Sequence, residues 1–236
     1  MRKARKTKSS RPFVLVNMAM TADGKIATAN RAVHSFGSRR DLKHLYELRA
    51  TADAVMCGAR TVEATGTVLG NGGEKFRRQR LKNGLAEFPV RVIVSGSGSI
   101  NPRAAILKKR FSPIIVVTNG GISNARRRRL REVADEVKIC GRREVNFRAV
   151  LQWLRTKWGI RRLLCEGGGE LAGALFRAGV LDELHLTICP KIFGGRDAPT
   201  IADGRGFRRL ADAGRFRPTS IKRSDGELFV VLTHLI

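Results

Sequence analysis

The 236-residue chain is short of acidic residues and of aromatics, and it has no long apolar run; each shortage removes a class of protein. No stretch approaches the roughly 18 apolar residues that span a bilayer. No apolar signal region follows the basic N-terminus, so a soluble, cytoplasmic protein without a membrane partner is expected. Aromatics make up 6% of the chain and do not alternate with its basic residues, which argues against a stacking platform for single strands and against nucleic acid as a partner. The four cysteines (Cys57, Cys140, Cys165, Cys189) are isolated, and neither a Cys-x-x-Cys motif nor a His/Cys cluster occurs. Neither a metal site nor a disulfide framework is expected, and three of the thiols sit in apolar runs that read as buried strands. Twenty Asp and Glu stand against 46 Lys and Arg, a formal +26. Such a field draws polyanions without specificity and also steers small phosphorylated molecules.

What is present is an alternation of short β-rich runs and helical patterns, the mark of a sheet with crossover helices. Strands are expected at 13–18, 54–57, 90–94, 114–118, 137–140 and 162–165. Helices are expected at 39–49, at 124–134 with Ser123 as N-cap, at 147–158, and at 169–178 with Gly179 as the closing glycine. After Leu181 the texture changes. Runs at 184–188, 216–221 and 228–232 are strand-like, and Ser224-Asp225-Gly226-Glu227 reads as a turn joining the last two. The fold class is therefore α/β, a mainly parallel central sheet finished by antiparallel C-terminal strands. Residues 1–10 read as a basic disordered tail ahead of one domain over 11–236. Residues 65–88, polar and rich in Gly, Arg and Lys, read as a long loop.

The most informative stretch is RRLLCEGGGELAGALFRAGV at 161–180. A buried strand stops at Glu166 and passes through three glycines into an amphipathic helix. Glycines let a phosphate approach the backbone, and the first N–H groups of the helix point at it with the helix dipole behind them. A carboxylate at the strand tip stands where one bound molecule would end and a second begin. Two ligands side by side imply an enzyme.

Four stretches together resemble one family: RPFVLVNMAMTADGKIA (11–27), LRATADAVMCGARTV (48–62), LLCEGGGELAGALFRAGVLDEL (163–184) and CPKIFGG (189–195). The chain is similar to the reductase of riboflavin biosynthesis, which stands alone in archaea and fungi and forms the C-terminal half of a bacterial bifunctional deaminase–reductase. The resemblance implies a dihydrofolate-reductase-like fold with helices on both faces of the sheet, and a homodimer. It implies NADPH as cofactor and a phosphorylated pyrimidine as substrate. Hydride would go to C1′ of a ribosylamino group, opening the sugar to ribitylamino; the alternative is a paralogous NADPH-dependent reductase of the same fold acting on a different heterocyclic or carbonyl substrate. The deaminase motifs do not occur here, so only the reduction is expected.

The resemblance also distributes roles. Gly167, Gly168, Gly169 and Glu170, with Leu171, Ala172, Gly173 and Ala174 behind them, correspond to the turn and helix start that hold the cofactor pyrophosphate. Thr61 and Thr65 match cofactor-contacting positions, Thr65 standing where relatives carry the first Asp of Asp-Asp-Pro. Ala19 matches the position against which the nicotinamide lies, and Val94, Ser95, Gly96 and Ser97 the segment around the adenosine. Glu166 aligns with the substrate glutamate, where a carboxylate suits the N–H groups of a diaminopyrimidine. Arg49 aligns with a substrate arginine whose fork fits a sugar phosphate. Leu69 falls at a substrate-lining position. Val33 and Ser35 replace residues that flank the substrate in relatives, and Asn17 replaces a Lys of bacterial relatives. The four histidines are scattered, and no proton donor is assigned. Asp23-Gly24-Lys25 reads as an architectural turn.

Overall fold

The computed structural model describes residues 9–31 and 36–235. All of the expected tail except Ser9 and Ser10, together with Val33, His34 and Ser35, lies outside them. Nine strands form one sheet: β1 (Phe13–Thr21), β2 (Ala54–Gly58), β3 (Val90–Val94), β4 (Ile114–Thr118), β5 (Glu136–Ile139), β6 (Arg162–Cys165), β7 (Glu183–Cys189), β8 (Phe216–Ser224) and β9 (Glu227–His234). Their order is β5-β4-β3-β2-β6-β1-β7-β9-β8. Pairing is parallel from β5 across to β7, and β9 and β8 add antiparallel at that edge. The expected chain of parallel strands closed by a hairpin is therefore present, with Asp225 and Gly226 both at positive φ in its turn.

Strand parity sorts the side chains onto two faces, because successive residues of a strand point opposite ways. Val14, Val16 and Met18 of β1 join Leu163 and Cys165 of β6 in one buried cluster, whereas Leu15, Val55, Cys57, Ile93 and Leu164 join another. Helices α6 (Phe147–Lys157) and α7 (Gly169–Arg177) cover the first face. Helix α6 does so with Phe147, Val150, Leu151 and Leu154, all buried. Each such side chain contributes about 1.5–3 kcal/mol on leaving water. Helices α1 (Arg39–Arg49), α2 (Ala59–Thr65), α4 (Ala105–Lys108) and α5 (Asn124–Val133) cover the second face. Ser38 caps α1 through Arg40 N and Asp41 N, and Ser123 caps α5 through Arg126 N, as its sequence predicts.

The segment 65–88 is not one loop. It holds the end of α2 and a further helix, α3 (Glu74–Lys82), in which only Phe76 and Arg80 are buried. Arg80 fixes α3 in place by donating to Ala52 O at 2.7 Å and Ala86 O at 2.8 Å, and it also reaches Arg49 O. A helix that buries one aromatic ring, Phe76 against Tyr46, and one guanidinium leaves no apolar stripe in the sequence, so periodicity misses it.

Connections matter more than strand count for placing a site. From β2 the chain turns through α2 toward β3, whereas from adjacent β6 it turns through α7 toward β7 on the other side. Two neighbouring parallel strands whose exits diverge open a crevice at their carboxyl ends, the place where open α/β sheets bind ligands.

Candidate active site

A cavity of about 1980 Å³ occupies that crevice. It is walled by the carboxyl ends of β1, β2, β3 and β6, the inner face of α1 and the start of α7. One limb runs past the triple glycine. Gly167 and Gly168 have φ of +112° and +90°, a region closed to most side chains. A β-carbon on Gly168 would stand 3.0 Å from Thr61 Oγ1, and one on Gly167 would stand 3.6 Å from Met18 Sδ. Backbone conformation demands glycine at both positions, and at 168 the space is tight as well. The first capping bond of α7 runs from Ala172 N to Gly168 O at 3.0 Å, which leaves the N–H groups of Gly169, Glu170 and Leu171 ahead of it at the cavity. The exposed Glu170 carboxylate is paired with Arg60 of α2, and both residues border the same cavity.

Thr61, Thr65, Ala19, Val94, Ser95, Gly96, Ser97 and Ala174 all border the cavity with the glycines. Two of the hydroxyls are already engaged, since Thr65 donates to Thr61 O at 2.8 Å and Ser95 to Ser99 O at 2.8 Å. Two expected cofactor residues are elsewhere. Ala172 is fully buried in the core, and Gly173 faces the segment after β7, where a β-carbon would meet Asp203 O at 2.0 Å. Gly169 faces the same segment, with Thr200 O at 2.3 Å and Asp203 Oδ2 at 2.4 Å from a β-carbon. The reason for glycine at 169 and 173 is thus a strap over α7, which periodicity does not reveal. Asp23 secures the start of the same segment by accepting from Phe193 N and Gly194 N, which bears out the architectural reading of its turn.

The other limb is built on Arg49 and Glu166. They form a forked, buried ion pair, with Arg49 Nε to Oε1 and Nη2 to Oε2 both at 2.5 Å. Each side chain is 7% exposed. A third guanidinium bond reaches Gly70 O at 2.8 Å. Burial disfavours the Arg49 charge, but the facing Glu166 outweighs it and holds the guanidinium above its ordinary pKa. The fork expected to grip a sugar phosphate is therefore turned onto Glu166, and it fixes that carboxylate at the cavity wall. Leu69, at φ +52°, is fully buried beside them and also borders the cavity.

Burial raises the thiol pKa values of Cys57 and Cys165, the latter to about 12, which makes both unreactive. Among the described residues no cluster of His, Cys, Asp and Glu has the form of a metal site. The histidines are not all scattered. His44 of α1 meets His185 of β7 at 3.1 Å, and His185 meets Glu183 at 2.7 Å. Burial, then the neighbouring His185, push His44 down to about 4. Its neutral form is the folded one, so its contribution is complete above the unfolded value of about 6.5 and is lost as pH falls toward about 4. The melting temperature should fall across that window, and His44→Leu should flatten this part of the profile in thermal scans at stepped pH.

Sequence and structure comparisons identify the family. The family model of the RibD C-terminal domain matches residues 12–230. The chain belongs to this family. It is 36% identical over 214 residues to the 2,5-diamino-6-ribosylamino-4(3H)-pyrimidinone 5′-phosphate reductase of Methanothermobacter thermautotrophicus, covering 91% of this chain and 93% of that protein. The enzyme of the same name from Archaeoglobus fulgidus is 35% identical over 197 residues, covering 84% and 89%. Among solved structures, a pyrimidine reductase-like protein from Corynebacterium diphtheriae superposes with a TM-score of 0.80 at 21% identity, over 95% of this chain and 92% of that one. RibD of Acinetobacter baumannii gives 0.77 at 22% identity, over 96% of this chain and 59% of that longer one. Those two likenesses speak for the fold, which is the expected dihydrofolate-reductase-like one.

Proposed function

We propose that the protein is the NADPH-dependent reductase that converts the ribosylamino group of a pyrimidine 5′-phosphate to ribitylamino, by hydride transfer to C1′. The observation that carries this reading is the pair of left-handed glycines at the β2/β6 crevice, within a chain of this family. Glycine keeps a β-carbon off the crevice wall beside Thr61, and the Glu170 carboxylate that borders the same space has its charge paired with Arg60. The nicotinamide dinucleotide therefore fits the residues present. In this reading the N–H groups of Gly169, Glu170 and Leu171 bind the diphosphate, Val94–Ser97 border the adenosine, and Thr61 and Ala19 lie along the path to the nicotinamide. The dinucleotide, when bound, supplies the hydride. Glu166, oriented by Arg49, accepts N–H bonds from the pyrimidine with the lone pairs its partner leaves free, and Leu69 packs beside it. The surplus of Lys and Arg favours the extra phosphate of NADPH over NADH. The proposed setting is a cytoplasmic homodimer.

The test is turnover of the ribosylaminopyrimidine phosphate with NADPH, followed by loss of nicotinamide absorbance and by appearance of the ribityl product. Binding of NADPH without turnover of that compound would reject the substrate while keeping the cofactor. Absence of NADPH binding would reject both.

A further inference from the structure

Beyond the amides at the head of α7, the cavity continues along the helix. Leu171, Ala174, Arg177 and Ala178 all border it, and their spacing of three and four sets them in one stripe on the same face. Val94–Ser97 and, from the turn after β5, Arg143, Glu144 and Val145 border the same space. Arg177 comes two turns after Leu171, about 9 Å along the axis, and helical side chains lean back toward the N-terminus. A ribose with phosphates on its 5′ and 2′ oxygens has a comparable length.

Three guanidiniums and one open carboxylate gather at this end. Glu144 Oε1 lies 3.1 Å from Arg205 Nη2, and its Oε2 lies 3.9 Å from Arg177 Nη2. Arg143 borders the cavity beside them and pairs with no carboxylate among the described residues. The strap over α7 sets the spacing. Asp203 N donates to Gly169 O at 2.8 Å, and the Asp203 carboxylate is occupied by Thr200 Oγ1 at 2.7 Å and Thr200 N at 3.1 Å. A β-carbon on Gly204 would stand 3.1 Å from Arg177 Nη1, so the strap passes close beside that guanidinium just before Arg205.

The Arg49–Glu166 fork makes the contrast, being short and buried. Here the side chains are open: Arg177 is 28% exposed, Glu144 56% and Arg205 81%. An exposed ion pair contributes about 0–1 kcal/mol, so a stronger anion displaces Glu144 at small cost. A phosphate monoester is such an anion. It carries about −1.5 to −2 at pH 7, it accepts forked bonds from guanidinium, and three arginines exceed one carboxylate by a matching charge.

We propose that Arg177 and Arg205, with Arg143 beside them, bind the 2′-phosphate of the dinucleotide's adenosine and select NADPH over NADH, and that Glu144 occupies their guanidiniums until the phosphate arrives. The inference rests on the function proposed above and deepens it. A carboxylate beside an adenosine ribose accepts from the 2′-hydroxyl and favours NADH, whereas an arginine accommodates the 2′-phosphate. Both kinds of group stand at this end of the cavity, and the carboxylate is the one already held. Glu144 lies on an exposed turn between β5 and α6, so it swings into solvent without disturbing a packed element. The arginines stay in place, Arg177 on α7 and Arg205 two residues after the anchored Asp203. The amides at the head of α7 and the guanidinium of Arg177 then bracket the ribose between its two phosphates.

The experiment is titration of the full chain with NADPH and with NADH by nicotinamide fluorescence, with 2′,5′-ADP and 5′-ADP as competitors. Wild type should prefer NADPH, and 2′,5′-ADP should displace it at lower concentration than 5′-ADP. Arg177→Leu should weaken NADPH by about 10-fold to 100-fold, the range of a hydrogen bond to a charged group. NADH affinity should stay unchanged in that variant, and the two competitors should become equal. Arg205→Leu should act in the same direction by a smaller factor. Its side chain is the most exposed of the cluster, so this arm decides the matter if Arg177→Leu does not fold. Glu144→Gln should tighten NADPH by about 2-fold to 5-fold and leave NADH where it was. A wild type that binds the two dinucleotides equally overturns the proposal, as does Arg177→Leu, or Arg205→Leu in its stead, at the wild-type ratio. A Glu144→Gln variant that loses NADH affinity also overturns it, because the carboxylate then serves the ribose hydroxyl. Binding of neither dinucleotide overturns the proposed function instead.

Discussion

Gly168→Asp should abolish dinucleotide binding. At φ +90° a side chain strains the backbone by about 1–3 kcal/mol, and its β-carbon would stand 3.0 Å from Thr61 Oγ1. The new carboxylate would also face the amides of α7 from the side on which a diphosphate must approach. It would satisfy those amides itself and repel the ligand. We expect NADPH affinity to weaken by at least about 100-fold, equivalent to about 2.7 kcal/mol, in a fluorescence titration. Gly24→Asp is the control, because Gly24 also has positive φ, at +78°, and a β-carbon there meets nothing within 4 Å. That variant should carry the backbone strain and keep the cofactor. Unchanged affinity in Gly168→Asp would remove the glycine turn from the cofactor site.

Arg49→Leu should be the most destabilising single change in the cavity wall. The pair it breaks is 7% exposed on each side, and the Glu166 carboxylate would be left in a poorly solvated place without its two guanidinium bonds. Removing one partner of a buried ion pair costs about 3–5 kcal/mol. For a chain of this size the melting temperature should fall on the order of 10 °C. Adding Glu166→Gln should restore most of the loss, because the stranded charge is then gone, whereas substrate reduction should stay abolished in the double variant. An Arg49→Leu protein that melts with the wild type would mean that Glu166 is solvated, and the account of a pre-oriented carboxylate would fall.

The two positions also show where sequence reasoning reaches its limit. The resemblance assigns Arg49 and Glu166 each to a ligand, and both border the cavity. Only the approach of the α1 C-terminus to the β6 tip shows that they reach for each other, because their contact spans 117 positions. Similarly, the glycines at 167 and 168 announce themselves beside a strand end. The glycines at 169 and 173 look the same in sequence, and serve a strap that arrives from residues 200–203. Helix α3 shows no apolar stripe because it buries only Phe76 and the Arg80 guanidinium.

By itself, the sequence determined the alternation of strands and helices, the two faces of the sheet and the place where a glycine turn must follow β6. Those features follow from local rules: period-two and period-3.6 burial, capping residues, and backbone conformations open only to glycine. Tertiary structure alone decided the strand order that puts β2 beside β6, and hence the crevice, the closed Arg49–Glu166 fork and the meeting of Arg177 and Arg205 at Glu144. Such features depend on which distant groups come within bonding distance and which are left without a partner. Only the packed chain fixes that, since the energy of a buried charge or polar atom is set by its neighbours in space.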